Sequence, residues 1–176
     1  MQRDRQGLVQ PHDPQWAQRA ATELDILRRT TGPAISAAEH FGSTAVPGLV
    51  AKPTIDLTLA TALWPWPEEL DGKLQSIGFH FYKAPNPRWR VYLKARNGRQ
   101  RGFHLHIVEE GSAHWQEHLL FRDHLRQHPA DAAAYGQLKL KLAAAHPDRL
   151  GEYQAGKADL VREIMGRAKS STRCPT

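Results

Sequence analysis

The chain has 176 residues, of which 40% are hydrophobic, and its five tryptophans and five phenylalanines are enough for one buried core. No apolar run approaches the roughly 20 residues that cross a bilayer, the polar start leads into no apolar segment, and the single cysteine excludes an internal disulfide, so we expect a cytoplasmic protein without a membrane anchor. The net charge of +6 favours an anionic partner such as a nucleotide, another phosphorylated small molecule or nucleic acid.

The N-terminal third predicts one helix and two strands. Asp13-Pro14 is a helix-starting pair, and apolar residues recur at helical spacing behind it, which predicts a helix over 14–29. A short segment over 34–41 and a β-branched, alternating segment over 54–59 predict strands. The residues 42–53 between them contain two glycines and two prolines, which indicates a shaped loop.

The remainder predicts a sheet followed by helices. A short helix over 67–76 precedes three antiparallel strands, expected over 79–82, 89–95 and 102–109. Turns are expected at Pro85-Asn86-Pro87 and at Asn97-Gly98. Three helices follow, the last of them carrying both Tyr153 and Lys157. The pattern predicts an α+β protein, with a mixed sheet of about five strands and a helical C-terminal third. We expect a single domain over 8–168 and a flexible tail over 169–176.

The loop after the first predicted strand contains Gly42, Ser43 and Thr44, followed by Lys52. Glycine lets backbone amides approach a ligand closely, and the two hydroxyls add hydrogen-bond donors, so this segment is a candidate phosphate cradle. Lys52 could neutralise a phosphate oxygen. On the residues alone, the tripeptide fits a plain turn and Lys52 fits a solvated loop lysine equally well.

Asp56 lies inside an apolar strand, on the same face as Thr58. A carboxylate in such a position needs an ion pair, hydrogen bonds or a metal ion. We therefore select it as a functional residue; the structural alternative is an ion pair with Lys52 or with an arginine of the following strands.

The following strands are strongly basic, since no carboxylate occurs between His80 and Val108. Three of their arginines are candidate phosphate ligands, namely Arg88, Arg90 and Arg101. The alternative is a solvated basic face. Lys157 interrupts an apolar helical stripe, four residues after Tyr153, and either points into a cleft or extends its stem across the edge of the core.

His104 and His106 share a face of one predicted strand, where two imidazoles could bind one metal ion or contact one phosphate. The alternative is a pair of partly exposed histidines on a hairpin. The aromatic residues among the basic strands also suggest base stacking in a nucleic-acid-binding protein. They are Tyr82, Trp89, Tyr92 and Phe103.

The run from His40 to Leu57 reads HFGSTAVPGLVAKPTIDL, and this long motif resembles the signature of the GrpB family, also called UPF0157. Shorter similarities lie at His12–Trp16, at the His104-Leu105-His106 strand, over Phe121–Arg126 and over Tyr153–Lys157. The resemblance implies a nucleotidyltransferase-like fold. In that fold a Gly-Ser turn contacts nucleotide phosphates, and carboxylates on the next strand hold magnesium ions.

The resemblance implies a metal-dependent transfer of a nucleotidyl group from a nucleoside triphosphate to a small acceptor. The catalytic residues would be Asp56, Ser43 and Lys52. The phosphate ligands would be Gly42, Ser43, Thr44, Lys52, Arg88, Arg90, Arg101 and Lys157. The metal ligands would be Asp56, His106 and His104. The metal expected is magnesium or manganese, with zinc as the alternative.

The sequence departs from the superfamily pattern at Thr58, which stands where a second carboxylate is usual. An Asp-and-histidine site is also richer in nitrogen than magnesium prefers. The alternative is therefore a nucleotide-binding or phosphate-binding module that has the fold without the transfer activity.

Overall fold

The computed structural model describes residues 8–96 and 99–171, except for the side chains of 96 and 99–101. The helices are α1 (Gln15–Thr31), α2 (Glu68–Ser76), α3 (Ala113–Gln127), α4 (Pro129–Ala145), α5 (Leu150–Ala155) and α6 (Ala158–Ser171). The strands are β1 (Ala37–Phe41), β2 (Ile55–Thr61), β3 (His80–Asn86), β4 (Trp89–Arg96) and β5 (Arg99–Glu109). None of the helices in this described part is both long and apolar enough to cross a membrane.

The five strands form one mixed sheet in the order β1-β2-β5-β4-β3. Strands β2 and β5 are parallel, and the other three pairings are antiparallel. This confirms the predicted α+β architecture with a five-stranded mixed sheet. The parallel pairing places β2 and β5 side by side at the centre, so that Asp56 lies opposite His104 and Thr58 lies opposite His106.

Helices α1 and α2 cover one face of the sheet. Leu57 and Leu105 point to this face, and both are fully buried together with Trp16 and Leu27 of α1. Alternation along the strands sends every second side chain to this side, which is why the apolar positions of β2 and β5 build the main core here. Asp56 and Thr58 consequently point to the opposite face.

A second apolar cluster forms below that opposite face, where the 42–53 loop meets the C-terminal helices. Val46 and Leu49 of the loop pack with Leu125 of α3, Tyr135 of α4 and Ile164 of α6. The helical third of the chain therefore supports the loop that precedes β2 and completes the surroundings of Asp56.

Two predicted elements differ in the structure. The last helix is two helices, α5 and α6, separated at Gly156, where a Cβ atom would lie 2.5 Å from Cδ2 of Leu142 on α4. Tyr153 lies in α5 and Lys157 lies in the turn before α6, so the two residues do not share one helix. Strand β3 continues to Asn86, so the turn predicted from Pro85 starts two residues later, at Pro87. The predicted Asn97-Gly98 turn and the tail beyond 171 lie outside the described residues, while α6 extends through Ser171.

The aromatic residues proposed for base stacking do not form one exposed surface. Tyr92 and Phe103 are only 1% and 8% exposed and belong to the main core, whereas Tyr82 is exposed. The prediction that these four rings form one stacking surface is therefore wrong. Side chains of β4 and β5 alternate between the two faces of the sheet, and Tyr92 and Phe103 point into the core.

Asp71 of α2 is the shared hydrogen-bond acceptor of three side chains on the covered face of the sheet. It accepts hydrogen bonds from Nε1 of Trp66 and Nη2 of Arg90, both at 2.9 Å, and from the hydroxyl of Tyr92. We expect Asp71→Ala to lower the free energy of unfolding by roughly 2–3 kcal/mol, because three partly buried donors lose their acceptor. Urea denaturation measures this change.

The control is Asp25→Ala, which removes an exposed ion pair with Arg28 on α1. It should cost less than about 0.5 kcal/mol. Equal losses for the two variants would contradict the role given to Asp71.

Candidate functional site

The centre of the site is a close approach between Gly42 and Asp56. Phe41, the last residue of β1, pairs with Asp56, and the chain then turns at Gly42 with a φ of 72°. A Cβ atom on this residue would lie 2.5 Å from Oδ2 of Asp56. The turn therefore requires glycine both for its backbone conformation and for the room that the carboxyl group needs.

Ser43 and Thr44 follow in a single 3₁₀ turn, and their side chains have different surroundings. Thr44 is buried, and its Oγ1 lies 3.0 Å from Nε2 of His40. Burial, with the nearby Arg126 and Arg122, lowers the pKa of His40 to about 4, so this imidazole is neutral at physiological pH. Ser43 instead forms a side-chain hydrogen bond with the phenol of Tyr135 on α4. Thr44 therefore supports the turn from inside, and its hydroxyl is not directed at a ligand.

Two lysines that are far apart in the sequence, Lys52 and Lys157, lie near Asp56. Lys52 follows Ala51, whose backbone exchanges hydrogen bonds of 2.9 and 3.0 Å with Gln10. Lys157 lies at the junction of α5 and α6. The Nζ atoms of both lie over the ring of the buried Tyr153, at 5.0 and 4.8 Å from its centroid. Both cations also act electrostatically on Asp56, which places them at one site.

A third lysine, Lys139 of α4, belongs to the same group and is absent from the sequence prediction. Its side chain is only 2% exposed, its Nζ donates to the carbonyl of Val50, and it lies 4.7 Å from the centroid of the Tyr135 ring. Lys52 and Lys157 both act on it electrostatically. The one sequence signal was a lysine flanked by Leu138 and Leu140 in a helix of low polarity, and this does not indicate which loop the ammonium group meets.

The four ionisable groups perturb one another. Burial raises the pKa of Asp56 to about 7, although Lys52 and Lys157 act to lower it. Burial and then the neighbouring lysines lower the pKa of Lys139 to about 7. Burial and Lys52 lower the pKa of Lys157 to about 8, against the attraction of Asp56. Two lysines thus act on one carboxyl group that is only partly ionised near neutral pH, and Lys139 adds a third basic group beside those lysines. This arrangement favours an additional anion.

The two predicted histidines occupy different surroundings. Nδ1 of His104 lies 3.5 Å from Oδ1 of Asp56, and its side chain is 43% exposed. His106 accepts a hydrogen bond of 3.2 Å from Nε1 of Trp89 and packs against Phe41 and His118. Burial lowers the pKa of His106 to about 3, so it is neutral. The structure therefore brings His104 to Asp56 and leaves His106 in an aromatic cluster.

This donor set does not fit the expected magnesium site. Across 8–96 and 99–171, no group of three or more histidine, cysteine, aspartate or glutamate side chains is arranged to hold a metal ion. Asp56 has His104 beside it and Thr58 two residues along the strand, so the second carboxylate that magnesium would prefer is replaced by nitrogen and hydroxyl groups.

Two of the predicted arginines, Arg90 and Arg88, do not reach this site. Arg90 points to the covered face of the sheet and pairs with Asp71, because strand alternation directs it away from Asp56. Arg88 pairs with Glu109, at the end of β5 far from His104. The side chain of Arg101 lies outside the described part. Of the predicted phosphate ligands, the structure therefore brings together the turn and two lysines, Lys52 and Lys157.

A cavity of about 570 Å³ lies next to this site but is a separate feature. Its walls are the loop from Val46 to Val50 and neighbouring residues of α3 and α4, and they are mainly apolar. None of the predicted site residues lines it.

The family model described as GrpB protein matches residues 8–167 of this chain. A UPF0157 protein of Pseudomonas aeruginosa is 38% identical over 170 residues, which are 95% of this chain and 69% of that protein. UPF0157 protein YqkA of Bacillus subtilis is 34% identical over 158 residues, which are 90% of this chain and 46% of that protein. The chain thus spans less than half the length of YqkA.

Two solved structures relate to the fold. The crystal structure of conserved protein GrpB from Enterococcus faecalis superposes with a TM-score of 0.87 at 30% identity, covering 94% of this chain and 99% of that one. The Cid1 poly(U) polymerase with Mg 3′-dATP bound superposes with a TM-score of 0.51 at 14% identity, covering 84% of this chain and 49% of that one. The chain therefore has a nucleotidyltransferase-like fold.

The contact between Gly42 and Asp56 predicts that alanine destabilises the protein more at position 42 than at position 48. We expect Gly42→Ala to lower the free energy of unfolding by roughly 2–4 kcal/mol, because the new methyl group adds a clash with the carboxyl oxygen to an unfavourable backbone conformation. Gly48 also has a positive φ, 77°, but no atom within 4 Å of its hypothetical Cβ. Gly48→Ala should therefore cost only about 1 kcal/mol. Similar losses in urea denaturation would contradict the contact.

The raised pKa of Asp56 predicts a pH dependence of stability. Between its unfolded value of 3.8 and about 7, the folded protein binds the Asp56 proton more tightly than the unfolded chain does. The Asp56 contribution to stability is therefore full below about pH 4 and is lost as the pH rises to about 7.

Asp56→Asn removes this contribution. The free energy of unfolding of the variant relative to the original protein should rise by about 2 kcal/mol between pH 4.5 and 8, a value reduced for the partial exposure of the carboxyl group. Urea denaturation of both proteins across this range measures the difference. A difference that stays constant with pH would show that Asp56 titrates normally.

Proposed function

The chain belongs to the GrpB family, and from that premise we propose that it binds the phosphate groups of a nucleotide or other phosphorylated small molecule beside the Gly42-Ser43 turn. The observation that carries this proposal is the convergence of Lys52 and Lys157 on one carboxyl group at that turn, with Lys139 near enough to both lysines for their charges to lower its pKa. A cluster of this kind is unfavourable in the free protein, and a bound anion removes its repulsion.

The different exposures of the lysines indicate different roles in binding. Lys157 is half-buried and has its ammonium group over Tyr153, so it can meet a ligand directly. Lys139 is almost fully buried and donates to the Val50 carbonyl, so it supplies positive potential and fixes the loop from beneath. Lys52 sits in the same loop, three residues before β2. A phosphate between the turn and these cations would contact backbone amides, the Ser43 hydroxyl and ammonium groups.

The second candidate function is the transfer of a nucleotidyl group from a nucleoside triphosphate to a small acceptor. The position of Asp56 against the glycine turn, within a nucleotidyltransferase-like fold, favours it. Asp56 is the carboxylate available for such chemistry, and its donor neighbours do not form a magnesium site. The metal requirement of any transfer thus stays a prediction, as do Asp56, Ser43 and Lys52 in a catalytic role.

Isothermal titration calorimetry with pyrophosphate and ATP tests the binding proposal. We expect Lys157→Met and Lys139→Met each to weaken binding about tenfold, because each removes one ammonium group from a low-dielectric site. The matched control is Lys141→Met, which changes an exposed lysine on the same helix as Lys139 and should leave the affinity unchanged. No binding of either anion, or equal affinities for all variants, would refute the proposal.

Incubation with labelled nucleoside triphosphates and a metabolite extract separates the two candidate functions. The reactions contain magnesium, manganese, zinc or a chelator, so that they also test the predicted metal. A labelled product that is lost in Asp56→Asn would establish transfer, whereas binding without any product supports the binding module. A product that persists in Asp56→Asn would exclude Asp56 as its catalytic residue.

A further inference from the structure

We propose that Arg126 and Arg122 of α3 are positioning residues, which fix both ends of the Gly42-Ser43 turn in the shape that accepts phosphate. The inference rests on the proposed function, since it assigns to these arginines the geometry of that same site. Neither residue is among the sequence-predicted ligands.

Arg126 holds the C-terminal end of the turn. Its Nε and Nη2 both donate to the carbonyl of Ala45, at 3.0 and 2.8 Å. Ala45 closes the 3₁₀ turn, because its amide donates to the carbonyl of Gly42 at 3.2 Å. A charged planar fork on one carbonyl oxygen restricts both the direction and the rotation of that peptide group.

Arg122 holds the N-terminal end, one helical turn earlier on α3. Its Nη1 donates to the carbonyl of His40 at 2.9 Å and to Oε2 of Glu39 at 2.8 Å. The Arg122 side chain is only 9% exposed, so its guanidinium is largely shielded from water. The last residues of β1 are thereby fixed immediately before the chain bends at Gly42.

Asp123 aligns the two guanidinium groups. Its Oδ1 and Oδ2 accept from Nε and Nη2 of Arg122 at 2.7 and 2.9 Å, and Oδ1 also accepts from Nη1 of Arg126 at 3.3 Å. The three nitrogens of Arg126 thus all donate within the protein. These bonds use three of its five N–H groups and fix the orientation of the guanidinium plane.

The two roles predict different results for a lysine at position 126. Lysine keeps the positive charge but presents one compact ammonium group, which cannot reproduce the fork on the Ala45 carbonyl. If Arg126 acted only by its charge, Arg126→Lys would bind phosphate normally and Arg126→Gln would not. If it positions the turn, both variants bind weakly.

Calorimetry with pyrophosphate decides between these roles. We expect Arg126→Lys and Arg126→Gln both to weaken binding about tenfold. The matched control is Arg162→Lys on α6, where the arginine is 76% exposed and pairs with Asp159. Its affinity should equal that of the original protein. Normal binding by Arg126→Lys would overturn the proposal while leaving the phosphate site intact.

Hydrogen exchange of the ligand-free protein gives a readout that does not depend on binding. The amides of Ala45 and Val46 donate within the turn, to Gly42 and Ser43. In Arg126→Lys we expect these two amides to exchange about tenfold faster, with unchanged exchange in the centre of β2. Unchanged exchange of the turn, or an equal acceleration in β2 from general destabilisation, would overturn the positioning role. If the original protein binds no pyrophosphate, the proposed function fails, and the exchange rates still decide whether Arg126 holds the turn.

Discussion

The contact between the Asp56 carboxyl group and the backbone of Gly42 is the constraint on which the site depends. It joins the end of β1 to the start of β2, and it forces the intervening loop to leave the sheet beside the carboxyl group. The same loop then carries Lys52 back toward Asp56 and packs its apolar residues on the C-terminal helices. The helical third of the chain is therefore part of the site, since it supplies Tyr135, Lys139 and Lys157.

The site is built from groups that oppose the stability of the fold. A carboxyl group whose pKa is raised by burial and lysines whose pKa values are lowered by burial all lose solvation on folding. The structure tolerates them because aromatic rings and one carbonyl receive the ammonium groups, and because two arginines fix the turn from the opposite side. Sites that trade stability for a preorganised charge distribution are typical of ligand binding and catalysis.

The sequence predicts the fold well, because hydrophobic periodicity and turn residues report local structure directly. It also identifies Asp56, because a carboxylate in an apolar strand is unusual. Gly42 is selected mainly by the long motif that resembles the GrpB signature, since its tripeptide alone fits a plain turn. It does not identify Lys139, since helical periodicity gives a phase but not the loop on which that face packs. The prediction that Arg90 binds phosphate was wrong, because it treated the cations of this segment as one surface. Strand alternation instead directs Arg90 to the covered face, where it pairs with Asp71. The break between α5 and α6 lies at Gly156, a residue that weakens helices, but the apolar spacing on both sides of it also fits one continuous helix.

The most direct test of the lysine cluster is an NMR titration of the lysine side chains, followed through their ¹³Cε shifts with and without pyrophosphate. Lys139 and Lys157 should titrate near pH 7 and 8 in the free protein, well below the ordinary lysine value of 10.5. Pyrophosphate should raise both midpoints by about one unit or more, because the anion stabilises the charged forms. Ordinary midpoints near 10.5 that pyrophosphate leaves unchanged would contradict the account.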